Sequence, residues 1–347
     1  MAKILYGVAG EGSGHASRAK EIINHLKDCG HEIKIVSYDR GFAVLSQYFE
    51  VEKIFGLNFA MENNQVRYLS TITKNLEKFP EAAKSIKKIL KMIDEFPVQV
   101  VISDFEPISS IVSKIKKLPL ICIDNQRIIT KTKIDYPKKY ILEASIAKII
   151  INLDIAVKPK NFLITSFFKE ETTDSRAFIF PPILRKEIFG ISPQTNDYIL
   201  VYLSSKSENL IKIFEKVDEK FIIYGFDKNE NRNNIVFKKA SSENFLNDLS
   251  DCKGVVANAG FALIAEALYL GKPYLALPIK GQFEQILNAH YLEKLGYGKH
   301  CECLDKKEIE SFLRDLKKYR KNLENYKKEN NSEIFKKIDE LIGENSQ

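Results

Sequence analysis

Residues 254–295 read GVVANAGFALIAEALYLGKPYLALPIKGQFEQILNAHYLEKL. The run Val255, Val256, Ala257 has the composition of a short buried strand, and Asn258-Ala259-Gly260 is a turn signal. A helix follows from Phe261 to about Leu270, stopped by Gly271 and Pro273. A second buried strand occupies residues 274–277, a loop residues 278–281, and then a second helix begins. Two strand–helix steps this close together predict a parallel sheet with helices on its faces.

Glu266 stands out within this stretch, because from Phe261 to Leu270 it is the only charged residue. A carboxylate on a helix that is apolar nearly all round needs either a partner or a narrow exposed stripe. Gly260 lies six residues earlier, about 9 Å along a helix. A pyrophosphate on the free amides of the helix start would place a ribose near Glu266, whose carboxylate accepts both hydrogens of a ribose diol. The plainer alternative is a solvated glutamate.

Gly260 and Glu266, followed by Glu284, Gln285 and Asn288, resemble the donor motif of GT-B glycosyltransferases. The closest likeness is to family 28, the MurG-like group, and UDP-glycosyltransferases carry a similar box. The resemblance implies that Glu266 holds the ribose of UDP, with Asn258, Gly260 and Phe261 at the phosphate. It implies that Glu284, Gln285 and Asn288 hold sugar hydroxyls. It covers both ends of the chain in order and leaves the middle unmatched by motif.

The 347 residues suit two domains with cores of their own. The composition, 44% hydrophobic and 29% charged, is globular. No apolar run approaches the roughly 18 residues of a membrane span. The opening MAKILYGVAG reads as a strand entering a glycine loop and not as a signal peptide. The five cysteines are odd in number and lack a CxxC spacing, which argues for a reducing cytoplasm and against structural zinc. The net charge of +7 permits an anionic partner without naming one; nucleic acid is not expected.

Residues 3–8 form a first predicted strand, followed by Gly10-Glu11-Gly12-Ser13-Gly14-His15, a helix over residues 16–29 and a strand over 32–37. This is a βαβ unit with a glycine-rich turn, but His15 stands where the dinucleotide fingerprint wants glycine. His15 falls at a helix start beyond a strand's carboxyl end, a place that suits either catalysis or a loop hydrogen bond. A strand over 99–103 ends in Asp104-Phe105-Glu106-Pro107. Asp104 either orients the His15 imidazole or caps the next helix at Ile108. After a strand at 120–123, Asp124-Asn125-Gln126-Arg127 is expected to line the same cleft. By resemblance, the loop of Gly10, Gly12 and Gly14 faces the acceptor, a histidine at position 15 is the general base, and Asp104 its orienting acid. Glu106, Gln126 and Arg127 complete the expected acceptor side. Lysines at 74, 78, 84, 87, 88 and 91 within residues 66–93, and seven lysines against three acids in residues 131–160, are either solvated faces or contacts to anionic lipid.

Residues 161–168 read as the last strand of the first domain and 178–185 (FIFPPILR) as a stiff crossover. A strand over 198–203 leads to Ser204 and Ser205, whose amides and hydroxyls suit a phosphate; by resemblance, the loop 239–243 with Ser241 holds the base. From residue 306 the chain is helical and charged.

The expected fold is α/β, two Rossmann-like domains of GT-B architecture facing each other across a cleft. Residues 1–178 bind the acceptor, 179–325 the nucleotide-sugar donor, and a helix over about 326–347 returns to the first domain. The expected activity is inverting, metal-independent hexosyl transfer from a nucleotide sugar, UDP by resemblance, to an acceptor hydroxyl of a lipid or cell-envelope glycan. No cofactor or metal is expected; no Asp-x-Asp pair ends a strand. A cytoplasmic protein at the inner membrane face fits this reading. A UDP-sugar 2-epimerase and a non-catalytic nucleotide-sugar-binding protein are the alternatives.

Overall fold

The structure is a computed structural model and describes residues 1–56, 61–62, 65–66, 79–154, 158–204, 206–239 and 241–345. Contacts divide it into two units: Met1–Met61, Arg67–Arg185 and Glu329–Gln347 form the first, Glu62–Val66 and Lys186–Lys328 the second. Each is built on a seven-stranded, mainly parallel sheet.

The first sheet consists of β1 (Lys3–Val8), β2 (Glu32–Ser37), β3 (Val51–Lys53), β4 (Val100–Asp104), β5 (Leu120–Asp124), β6 (Asn161–Thr165) and β7 (Ala177–Phe180). Their order is β3-β2-β1-β4-β5-β6-β7, parallel throughout. The order reverses between β1 and β4, the point where open α/β sheets bind ligands. The central strands β1, β4 and β5 read as nearly unbroken apolar runs because both faces are covered. On one face Ile4, Tyr6 and Val8 meet Ala16, Ala19, Ile22, Ile23 and Leu26 of α1 (Gly14–Asp28), a helical stripe. The C-terminal helix α12 (Ser332–Asn345) adds Ile334, Ile338, Leu341 and Ile342 to this core. On the other face lies α4 (Pro107–Lys116), so close that a Cβ on Gly7 would stand 2.1 Å from Ser109 Oγ.

Helices α2 (Asp39–Leu45), α3 (Phe79–Glu95), α5 (Ile128–Lys131) and α6 (Ile141–Asp154) complete the first unit. Lys74 and Lys78 lie outside the described residues. Residues 177–180, expected to begin the crossover, are instead the edge strand: Phe178 and its neighbours pair with β6, and the first unit continues to Arg185. The two prolines at 181 and 182 come after this pairing ends, which is why they do not interrupt it.

The second sheet consists of β8 (Ile199–Tyr202), β9 (Phe221–Tyr224), β10 (Glu230–Arg232), β11 (Ile235–Lys238), β12 (Gly254–Ala257), β13 (Tyr274–Ala276) and β14 (Gly298–His300), in the order β10-β11-β9-β8-β12-β13-β14. Only the edge hairpin β10–β11 is antiparallel. The order reverses between β8 and β12. The helices are α7 (Glu208–Glu215), α8 (Ser242–Asp251), α9 (Phe261–Tyr269), α10 (Phe283–Lys294) and α11 (Lys306–Leu323). Ile211 and Phe214 of α7 and Ile309, Phe312 and Leu316 of α11 pack on Ile199, Val201, Phe221 and Val256. Among the described residues no helix is long and apolar enough to cross a membrane.

Candidate active site

Pairing of β1 with β4 places Val8 beside Asp104, and the Ala9 amide donates to the Asp104 carbonyl at 3.0 Å. His15, in the first turn of α1, therefore lies beside the end of β4. Its Nδ1 is 2.6 Å from Asp104 Oδ1. The carboxylate can only accept, so this shorter contact puts the proton on Nδ1, although the Arg18 Nη2 donor also lies 2.8 Å from that nitrogen, and Nε2 is then the acceptor atom of the ring. Gln126 Nε2 lies 3.3 Å from that Nε2.

Arg18, one helical turn after His15, grips the same carboxylate through Nε (2.6 Å to Oδ2) and Nη2 (2.5 Å to Oδ1). Its Nη1 donates to Asn125 Oδ1 at 2.7 Å. Asp104 is fully buried, Arg18 5% and His15 9% exposed. Burial alone would raise the Asp104 carboxyl, but the adjoining Arg18 and His15 hold it below its ordinary value. The Tyr6 phenol beneath is pushed up by burial and then by the Asp104 charge. Its hydroxyl has no hydrogen-bond partner among the described residues.

The cap of α4 falls to Glu106, not to Asp104: its carboxylate accepts from the Ile108 and Ser109 amides at 2.8 and 2.6 Å. Glu106, expected on the acceptor side, is fully buried. Arg127, also expected there, is buried as well. It is 1% exposed, ion-paired with Asp124 and flanked by the rings of Phe105 and Phe162. A charge desolvated this far stays buried only because its partner is there. Of the loop glycines, Gly10 is required by packing, since a Cβ would meet the Tyr38 carbonyl oxygen at 2.3 Å. Gly12 has φ +75°, left-handed backbone with open space around it. Gly14 opens α1.

In the second unit the reversal between β8 and β12 brings together Ser204 and the turn 258–260. Asn258 braces it: Oδ1 accepts from the Ser204 amide at 2.7 Å and Nδ2 donates to the Leu277 carbonyl at 2.9 Å. Asn288 Nδ2 donates to the Ala259 carbonyl at 3.0 Å, and Gln285 Oε1 accepts from the Ile279 amide at 3.0 Å. One end of each carboxamide thus holds a loop in place. Gly260 is the N-cap of α9, with no side-chain cap, so the amides of the first turn point outward. A Cβ on Gly260 would touch nothing within 4 Å. Phe261 is buried, and Glu266 is 5% exposed, which removes the exposed-stripe alternative. Glu284 is half-buried. Ser241 caps α8 by accepting from the Asn244 amide at 3.2 Å. Ser205 lies outside the described residues.

Residues 2–317 match the model of a family described as Glycosyl transferase family 1. The chain belongs to this family. Two curated relatives are named uncharacterized glycosyltransferases. One from Methanosarcina acetivorans is 24% identical over 86% of this chain and 85% of its own; one from Methanosarcina mazei is 25% identical over 88% of each. Among solved structures the chain resembles CalG4, the calicheamicin glycosyltransferase, with TM-score 0.70, 14% identity, and 99% and 98% of the two chains covered. It also resembles the spinosyn forosaminyltransferase SpnP, with TM-score 0.67, 12% identity and 99% of each chain covered. These likenesses show the GT-B fold, and the family match names family 1.

Within this family 1 glycosyltransferase, sequence reasoning placed Asn125 at the cleft without its partner and missed Arg18 and Tyr6. Arg18 carried a signal, since a helix that begins at His15 puts residue 18 on the same face. Tyr6 carried none, and the pairing of Asn125 with Arg18 was not readable either; both depend on β1 and β5 lying on either side of β4.

Proposed function

We propose that this chain is an inverting glycosyltransferase that moves a hexosyl residue from a nucleotide sugar, UDP-linked, to an acceptor hydroxyl without a metal in the chemistry. The observation that carries the reading is the 2.6 Å contact of His15 Nδ1 with buried Asp104, which leaves Nε2 to accept a proton. The acceptor hydroxyl gives its proton to Nε2 as its oxygen bonds to the anomeric carbon. The bond from that carbon to the diphosphate oxygen breaks, and the nucleoside diphosphate leaves with the electron pair. Asp104, held ionised by Arg18, stabilises the imidazolium. The outward amides of α9 and the Ser204 loop stabilise the leaving charge. Glu266 accepts from the ribose, and Gln285 Nε2 and Asn288 Oδ1 are the carboxamide ends that meet the sugar.

For the acceptor we propose a lipid-linked or cell-envelope glycan reached at the cytoplasmic membrane face. Supporting this, Ile141, Leu142 and Ile149 of α6 are 54%, 69% and 59% exposed beside exposed Lys138 and Lys139. An apolar helix face with basic neighbours suits an anionic bilayer surface. The α3 row is less free, because Lys88 pairs with Glu52 and Lys91 with Glu95. Incubation with UDP-sugars, scoring UDP release with and without a lipid-linked acceptor, tests the whole reading. Release that does not depend on acceptor, or no binding of any nucleotide sugar, overturns it.

A further inference from the structure

Some ten residues beyond His15, about 15 Å along α1, three potential metal ligands meet outside the site described above. His25 and Cys29 are four residues apart on α1 and so share one face. Asp339 of α12 faces them: its two oxygens lie 2.9 and 3.0 Å from His25 Nε2, and Cys29 Sγ lies 3.8 Å from the same nitrogen. The three ligating atoms fall within 4.8 Å of one another. His25 is stacked on Phe335, centroids 4.3 Å apart, which fixes the plane of its ring.

We infer that His25, Cys29 and Asp339 form a binding site for one zinc ion, which joins α12 to the last turn of α1. In a tetrahedral zinc site with ordinary bond lengths, ligand atoms are separated by about 3.6 Å for nitrogen and sulfur and about 3.4 Å for nitrogen and oxygen. The two separations from His25 Nε2 differ from those by only a few tenths of an ångström, and Cys29 Sγ and the Asp339 oxygen, within 4.8 Å of each other, close on the ion by side-chain rotation. A nitrogen, sulfur and oxygen set suits zinc and not calcium or magnesium, which prefer all-oxygen sites. The fourth position belongs to water, since the cluster is open to solvent: Asp339 is 39% and His25 21% exposed.

Binding is balanced as follows. Without metal, His25 Nε2 donates its hydrogen to Asp339. With metal, the imidazole carries its hydrogen on Nδ1, the thiol releases a proton to solvent, and zinc takes the three freed positions. This ion has no part in sugar transfer; its consequence is to hold the C-terminal helix in the first unit's core.

The test uses the full chain, stripped with a chelator and titrated with zinc against a chromogenic competitor. One zinc per chain is expected, and cobalt in its place should show a thiolate charge-transfer band. Cys29→Ser and Asp339→Asn should each weaken zinc by more than the about 10- to 100-fold that an outer-shell change costs. Cys303→Ser, altering the other exposed cysteine, should change nothing. Zinc should raise the melting temperature of the unaltered chain and not that of Cys29→Ser. In the unaltered chain zinc should also protect Cys29 from alkylation, a readout that needs no variant. Equal zinc stoichiometry in Cys29→Ser, or alkylation of Cys29 at the same rate with and without zinc, overturns the site.

Discussion

The two units reverse their strand order in the same way and fill the reversal with opposite chemistry. Between β1 and β4 the first unit places a buried, charged set: His15, Arg18 and Asp104, with Asn125 at its rim. Between β8 and β12 the second unit places neutral amides, an uncapped helix start and a glycine with open space around it. Topology thus supplies a location twice, and the side chains decide what each location does. A buried carboxylate gripped by an arginine fixes the place and orientation of the imidazole beside it. A frame of backbone amides can receive an anion without a charge of its own.

The largest effect should come from breaking the charged side. A positioned base typically contributes about 10²–10⁴-fold. His15→Ala should lower turnover by that factor and leave donor affinity nearly unchanged, as measured by initial rates and by calorimetry with UDP. Near-normal turnover would remove His15 as the base.

Asp104→Asn should lower turnover by a similar or smaller factor, and combined with His15→Ala it should add nothing, because the two act as a unit. Multiplicative losses would separate them. The structure adds a stability consequence, because the substitution leaves the Arg18 guanidinium buried without its carboxylate. Breaking a buried pair costs about 3–5 kcal/mol, read by urea denaturation. The Asp104 carboxyl in the folded chain lies below its ordinary value. Its contribution is therefore present above the unfolded value of about 3.9 and is lost as pH falls from there toward the folded value. The asparagine variant should lack that acid limb.

On the amide side, where Glu266 is the one charge the ribose meets in this reading, Glu266→Gln should weaken the donor by about 10- to 100-fold, the size of a buried charged hydrogen bond of about 1.5–3 kcal/mol. The fold should stay intact by circular dichroism. Unchanged UDP affinity would take Glu266 out of the donor site and leave the second reversal without its ribose contact.

How much of this was legible beforehand follows the same division. The strands of the second unit's centre could be read because each is a short apolar run closed by a turn signal, as in residues 255–260. His15 and Asp104 could be paired because both follow the carboxyl end of a predicted strand. The edge strands β7, β10 and β14 were missed: they are short, and what makes them strands is the neighbour they pair with. The partners of Glu106 and Arg127 were hidden for a related reason. A charged residue at a strand end looks the same in sequence whether it faces a ligand or is turned inward to cap a helix or meet an aspartate. Arg18 was missed because the glycine loop ends one turn before the residue that fixes the Asp104 charge, and nothing in the loop's pattern points to it.

The smallest effect should come from Gly260. Its φ of −69° is open to any residue, and an added Cβ would meet nothing within 4 Å. The fold therefore does not require glycine here. Gly260→Ala should change stability by no more than about 1 kcal/mol, the usual range for an N-cap exchange. Gly12→Ala, by contrast, introduces a side chain at φ +75°, which is strained whatever the surrounding space. If a diphosphate sits against the first turn of α9, the new methyl at position 260 occupies part of its approach. Donor affinity should then fall by up to about 10-fold, or 1.4 kcal/mol, with the melting temperature nearly unchanged. Melting curves and UDP calorimetry on the one variant decide the matter. A loss of stability with unchanged affinity would mean that the glycine serves the fold, and the second reversal would lose its claim to be an anion site.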